Sequence, residues 1–267
     1  MANRKNILTL ILLSSCCIVH NISAFNFNVE EFILGKSGCA SYGTESNTKW
    51  YQEKAREFLT NFGIKNAQDV QIYKLNLTAN PEMKLIPGIT ARDGIWFNED
   101  LMNNFSEQER TWFVAHETAH FTYKHILAKY LILNIQKAGL AIWSGLFGAG
   151  FTWAIQHYDI LKKHSLLAGA IFGTYLTFMG TKRYVSNSIM FLNFEKELEK
   201  QADLQAASML CSHGLESVVL VRIETLKNQI GRGFFLINSL DHPSLEETLA
   251  YLQAFWNAWT QQKTQPA

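Results

Sequence analysis

The apolar positions of this 267-residue chain fall into periodic stretches broken by glycine and by polar clusters. Residues 48–61 read as a first helix that stops at Gly63, behind a loop over 37–48 rich in Ser, Gly, Asn and Thr. Residues 70–77 alternate and predict a strand, and residues 94–97 predict a second after the turn-like Ala91-Arg92-Asp93-Gly94. Ser106 and Glu109 form a capping box, whose hydroxyl and carboxylate satisfy the free backbone donors of a new helix, so a helix is predicted from 107 through at least 123. Polar helical sequence returns over 194–211 and ends near Gly214. Two more helices are predicted over 215–229 and 244–259, the second opened by Pro243-Ser244, and 261–267 read as a loose tail. The fold class is α+β, mostly helical, with a small sheet.

Two apolar runs depart from this amphipathic pattern. Residues 138–156 and 165–181 carry no Asp, Glu, Lys, Arg or His, and each is close to the roughly 20 residues that span a hydrocarbon core. They predict a hydrophobic hairpin over 138–181, transmembrane or deeply inserted, in which the spacing of Gly169 and Gly173 would let two helices approach closely. A pair of buried or membrane-surface helices in a water-soluble domain fits the same lengths. The chain also opens on Arg4 and Lys5, an apolar run over 7–19 and a small residue at Ala24, which together read as a secretory signal over 1–24. An uncleaved anchor helix fits that run too, and Leu13-Ser14-Ser15-Cys16 resembles a lipoprotein box in which Cys16 would be lipidated. All three readings export the body of the chain, residues 25–267, a single domain interrupted by the hairpin. That body then lies outside the cytoplasm, on the periplasmic side in a bacterium, held by the hairpin, free or lipid-anchored. Lys162 and Lys163, in the hairpin loop, suit a cytoplasmic loop, although Lys137, Lys182 and Arg183 flank the other ends as well.

Charge narrows the partners. With 24 Lys and Arg against 23 Asp and Glu the formal charge is +1, which supplies no basic field for a phosphate backbone and leaves nucleic-acid binding without support. Removing the leader takes away Arg4 and Lys5 and no acid, so the chain stays near neutrality. A hydrophobic content of 48% excludes disorder. Beyond Cys16 and Cys17 only Cys39 and Cys211 remain, compatible with one disulfide or with two buried thiols, and too few for a thiolate zinc cluster.

Candidate chemistry lies in the capped helix, where His116-Glu117-Thr118-Ala119-His120 puts two imidazoles four residues apart on one face. Both can ligate one ion, with Glu117 beside the position of an activated water. A catalytic zinc takes three protein ligands and keeps an open position, and Glu199 is the candidate third. Asp203, four residues on, can accept a hydrogen bond from the free nitrogen of His116 or His120. Taken alone, Glu199 and Asp203 read better as a solvated helix face, and it is beside His116 and His120 that they read as ligand and supporting acid. His125 falls a quarter turn from the ligand face of a continuous helix, and His157, His164 and His213 fall at segment ends; solvated or capping roles are expected for all four.

These residues resemble the gluzincin metallopeptidases that include the heat-shock membrane protease HtpX and the CAAX prenyl protease. The likeness rests on residues 116–120, on Glu199 to Asp203 with Ala202 between them, on residues 94–98 before the capped helix, and on His242-Pro243. It covers about 48–258. It implies a zincin-like domain binding one zinc ion through His116, His120 and Glu199, with Glu117 as general base, Asp203 behind a ligand, and His242 as an auxiliary group. His242 could equally cap the last helix. The family usually carries an Arg six residues after that late His, and Thr248 stands there. The expected activity is zinc endopeptidase cleavage of unfolded or membrane-associated envelope proteins, with the 94–97 strand bordering the cleft and pairing with an extended substrate. The competing expectation, supported by Thr248, is a membrane-anchored zinc-binding scaffold or inactive protease that holds client proteins.

Overall fold

A computed structural model describes residues 42–91, 93–231 and 242–264. The leader, Cys16, Cys39 and the 261–267 tail beyond Thr264 lie outside the described residues, as does any bond between Cys39 and Cys211; Cys211 itself is buried. The chain divides into two compact units, one formed by 35–132 and 190–267, the other containing 133–189.

In the first unit α1 (Lys49–Asn61) precedes β1 (Gln71–Lys74), β2 (Gly88–Thr90) and β3 (Gly94–Phe97). Gly63, at φ 85°, supplies the left-handed turn that ends α1. The strand order is β1-β3-β2, with β1 parallel to β3 (Gln71 opposite Gly94, Lys74 opposite Phe97) and β2 antiparallel to it (Gly88 opposite Phe97, Thr90 opposite Ile95). This corrects the expectation for residues 94–97. β3 is central and has neighbours on both sides, so it has no free edge for a substrate; β2, for which the sequence gives only a three-residue Gly-Ile-Thr run, is an edge strand.

After the short α2 (Glu99–Met102), α3 (Glu107–Thr122) begins at the capping box, with both the Ser106 and Glu109 bonds in place. It packs against α1, β2, β3 and α7 (Glu216–Gly231). Contact on so many sides explains why Trp112, Val114, Ala115, Thr118 and Ala119 are all buried: this helix runs through the core. Phe58, Leu59, Ile95, Phe97, Leu210, Leu226 and Leu252 fill the space around it. Each such side chain contributes about 1.5–3 kcal/mol on burial, which fixes the helix that carries the two candidate imidazoles. The last helix, α8 (Leu245–Thr264), opens with a second reciprocal cap between Ser244 and Glu247.

The second unit takes its helices from α4 (His125–His157) and α6 (Ser165–Ser212), with the one-turn α5 (Asp159–Lys163) between them. The 194–211 segment is therefore the end of a 48-residue helix and not a separate element. Gln136 Nε2 donates to the Asn187 carbonyl at 3.2 Å, and Phe151 stacks on Phe172 at 3.8 Å, so the helices run antiparallel. Gly169 and Gly173 do not mediate this pairing, since a Cβ at either would meet nothing within 4 Å. Among the described residues one helix, α4, is long and apolar enough to cross a membrane, and none of its most apolar stretch is buried.

Candidate metal centre

Two helices bring the candidate ligands together. On α3, the four-residue spacing of His116 and His120 sets their Nε2 atoms 3.1 Å apart. On α6, Glu199 presents Oε2 at 3.4 Å from His116 Nε2 and 3.2 Å from His120 Nε2. Four ligands held at about 2.0–2.1 Å by a tetrahedral zinc lie about 3.3 Å from one another, so the three observed separations match a zinc ligand set.

Hydrogen bonding points the donors inward. His116 Nδ1 lies 2.8 Å from Asp203 Oδ1, which as a carboxylate only accepts; Nδ1 therefore carries a proton, and Nε2 is the nitrogen that faces the centre and offers a lone pair once it is deprotonated. Asp203 accepts a second bond from the Tyr251 hydroxyl of α8. Glu199, His120 and Asp203 are buried, and His116 nearly so. Burial opposes charge on His116, but the neighbouring Asp203 and Glu199 carboxylates outweigh it and raise its pKa well above the ordinary imidazole value. Burial likewise opposes ionisation of Glu199, and contacts with His116, His120 and His242 overcome it and lower its pKa well below the usual carboxylate value.

His125 is not solvated. Lys124 adopts φ 53°, which ends α3 and turns the chain, so His125 starts a new helix and points back at His120, Nδ1 to Nδ1 at 3.0 Å. It is 3% exposed, and the quarter-turn displacement expected of an unbroken helix does not apply.

Glu117 faces the edge strand. The Thr90 hydroxyl lies 2.8 Å from Glu117 Oε2 and 2.9 Å from its carbonyl oxygen. A Cβ at Gly88 would lie 2.8 Å from Glu117 Cγ, so only glycine leaves room for this carboxylate against β2. His242 Nδ1 lies 3.3 Å from Glu199 Oε2, with the side chain half exposed. Thr248 is buried on α8. Positive charge reaches Asp203 from Arg222 on α7, whose guanidinium lies over the rings of Trp112 and Phe113. His125, Thr90, Tyr251 and Arg222 were not legible as parts of this centre, because each depends on a turn or a helix packing that spacing along the chain does not encode.

A family model described as Peptidase family M48 matches residues 45–255. No curated protein and no solved structure matches the chain.

Proposed function

The chain belongs to peptidase family M48, a gluzincin metallopeptidase family, and from that premise we propose that it is a zinc-dependent endopeptidase using His116, His120 and Glu199 as ligands and Glu117 as general base. The observation that carries this reading is the convergence of three buried donor atoms at zinc-ligand separations, with Glu117 one residue from His116. One zinc ion per chain, held by His116, His120 and Glu199, would supply Lewis acidity at this site.

The chain's own groups do the rest. Glu117 takes the proton from the attacking water and passes it to the departing amine nitrogen, the order of transfers that peptide hydrolysis requires. Thr90 holds the carboxylate by its Oε2 oxygen and limits the positions it adopts. Asp203 keeps the proton of His116 on Nδ1 and so keeps Nε2 a donor. His242, half exposed beside Glu199, is placed to donate a hydrogen bond to a developing oxyanion. The edge of β2, next to Glu117, is the place where an extended substrate backbone would add as a further strand, a mode that reads backbone more than side chains. Unfolded or membrane-associated polypeptides of the cell envelope fit such a site.

Residues 138–181 hold the enzyme to a membrane in this reading, supported by the unburied apolar stretch of α4 and by exposed Ile142, Leu146, Trp153 and Ile171. The leader over 1–24 places the catalytic body outside the cytoplasm. The test is metal analysis joined to a casein-cleavage assay in detergent: about one zinc per chain, activity lost to a zinc chelator and restored by zinc. Cleavage that survives complete removal of zinc contradicts the reading.

A further inference from the structure

Glu199 has two carboxylate oxygens, and they face different surroundings. Oε2 meets the two imidazoles and His242, whereas Oε1 lies 3.6 Å from the Lys129 ammonium. Lys129 is also 3.4 Å from Glu195 Oε1, one helical turn before Glu199 on α6. Its own position follows from the Lys124 turn: α4 starts at His125, and Lys129, four residues on, shares that residue's face. The first turns of α4 thus back two of the three candidate ligands, His125 behind His120 Nδ1 and Lys129 behind Glu199 Oε1.

We infer that Lys129, anchored by Glu195, is a positioning residue that holds Glu199 Oε1 away from the metal and makes Glu199 a one-oxygen ligand. The inference rests on the zinc reading of the centre. A buried carboxylate bound to an ion through one oxygen leaves the other in need of a partner, and an ammonium with three donors can serve Oε1 and Glu195 at once. Without that partner, the ion competes for Oε1. Two-oxygen ligation would then occupy the open position that water and substrate need. Lys129 meets Glu199 at Oε1, the oxygen that does not face the imidazoles. Its effect is on geometry around the ion, transmitted through Glu199.

The test uses the full chain in detergent, comparing wild type with Lys129→Met, Lys129→Arg and Glu195→Gln. Zinc affinity is measured by competition with a chromophoric chelator, and coordination number by the visible bands of the cobalt(II)-substituted protein, intense for four ligands and weak for five or six. Lys129→Met, which frees Oε1 for the ion and removes a neighbouring positive charge, is expected to tighten zinc binding by about tenfold and to weaken the cobalt bands, with Lys129→Arg restoring both. Glu195→Gln, which keeps the ammonium but loosens it, is expected to shift both readouts in the same direction by less, and it carries the test if Lys129→Met does not fold. Unchanged affinity and an unchanged cobalt spectrum in a folded Lys129→Met, or in Glu195→Gln in its place, overturn the inference while leaving the zinc centre intact. Failure of wild type to bind zinc at all instead overturns the reading on which it rests.

Discussion

Asp203 Oδ1 lies 2.8 Å from His116 Nδ1, and Asp203 stands four residues after Glu199 on the same face of α6. One helix therefore supplies a ligand and the group that orients another ligand, while a single capped helix, α3, supplies both imidazoles. The candidate ligands and the carboxylate that orients one of them all stand on these two helices. Removal of the orienting carboxylate should consequently act on metal affinity. Asp203→Ala is expected to weaken zinc binding about 10- to 100-fold, and Tyr251→Phe, which removes one of the two bonds to Asp203, by less. Equal affinity in Asp203→Ala and wild type, by chelator competition, would remove Asp203 from the account.

Gly88 and Thr90 confine Glu117 without touching the ligands. Gly88→Ala puts a methyl 2.8 Å from Glu117 Cγ and must displace that side chain. Peptidase kcat/KM should fall by about tenfold or more, in line with the contribution of a well-placed general base, while zinc content stays at the wild-type level. Thr90→Val, which removes the 2.8 Å bond to Oε2, should act in the same direction and more weakly. Loss of zinc in Gly88→Ala would show that Gly88 supports the fold of the centre and not the base alone.

Zinc binding should depend on pH through His116. The metal takes the neutral imidazole, and the carboxylates beside His116 hold its proton to a pH well above the ordinary imidazole range. Binding at neutral pH therefore displaces that proton, and the sign follows: apparent affinity rises with pH, by about tenfold per pH unit for one proton released, until the folded metal-free protein has lost it. Zinc titration at a series of pH values, with proton release followed in weak buffer, measures this directly. An affinity independent of pH from about 6 to 8, where ordinary imidazoles titrate and where His116 still holds its proton, would contradict it.

The apolar hairpin makes a separate prediction. If residues 138–181 enter the bilayer, the protein stays in the membrane fraction after extraction with carbonate at high pH, and replacement of exposed Ile142, Leu146 and Ile171 by charged residues releases it. Release of the wild-type protein by carbonate would leave surface association or a soluble state.

Local chemistry was what made the centre readable in the sequence. The Ser106–Glu109 cap and the four-residue spacing of His116 and His120 are short-range facts of a helix, and so is the spacing from Glu199 to Asp203; all three survive in the structure unchanged. Glu199 stands out as the candidate third ligand with Asp203 one turn on, and the family resemblance adds His242, across a sequence distance that periodicity cannot bridge. What escaped lies at breaks in periodicity or in tertiary contacts. His125 departs from the face that an unbroken helix would give it because a left-handed Lys124 interrupts that helix. β2 is only three residues long, too short to signal itself, yet it forms the sheet edge next to Glu117 and displaces residues 94–97 to the centre. The separation of the hairpin from the 194–211 helix also failed, because no glycine or proline intervenes between 181 and 194 to stop the helix.

The central claim is that Glu117 moves the proton in a zinc-dependent peptide hydrolysis. Its most direct measurement is cleavage of casein by purified Glu117→Gln beside wild type, with zinc content determined on the same samples. The account predicts wild-type zinc content and a cleavage rate lower by about 100-fold or more, because the ligands are untouched and only the base is gone. Cleavage at the wild-type rate by a fully zinc-loaded Glu117→Gln would contradict it.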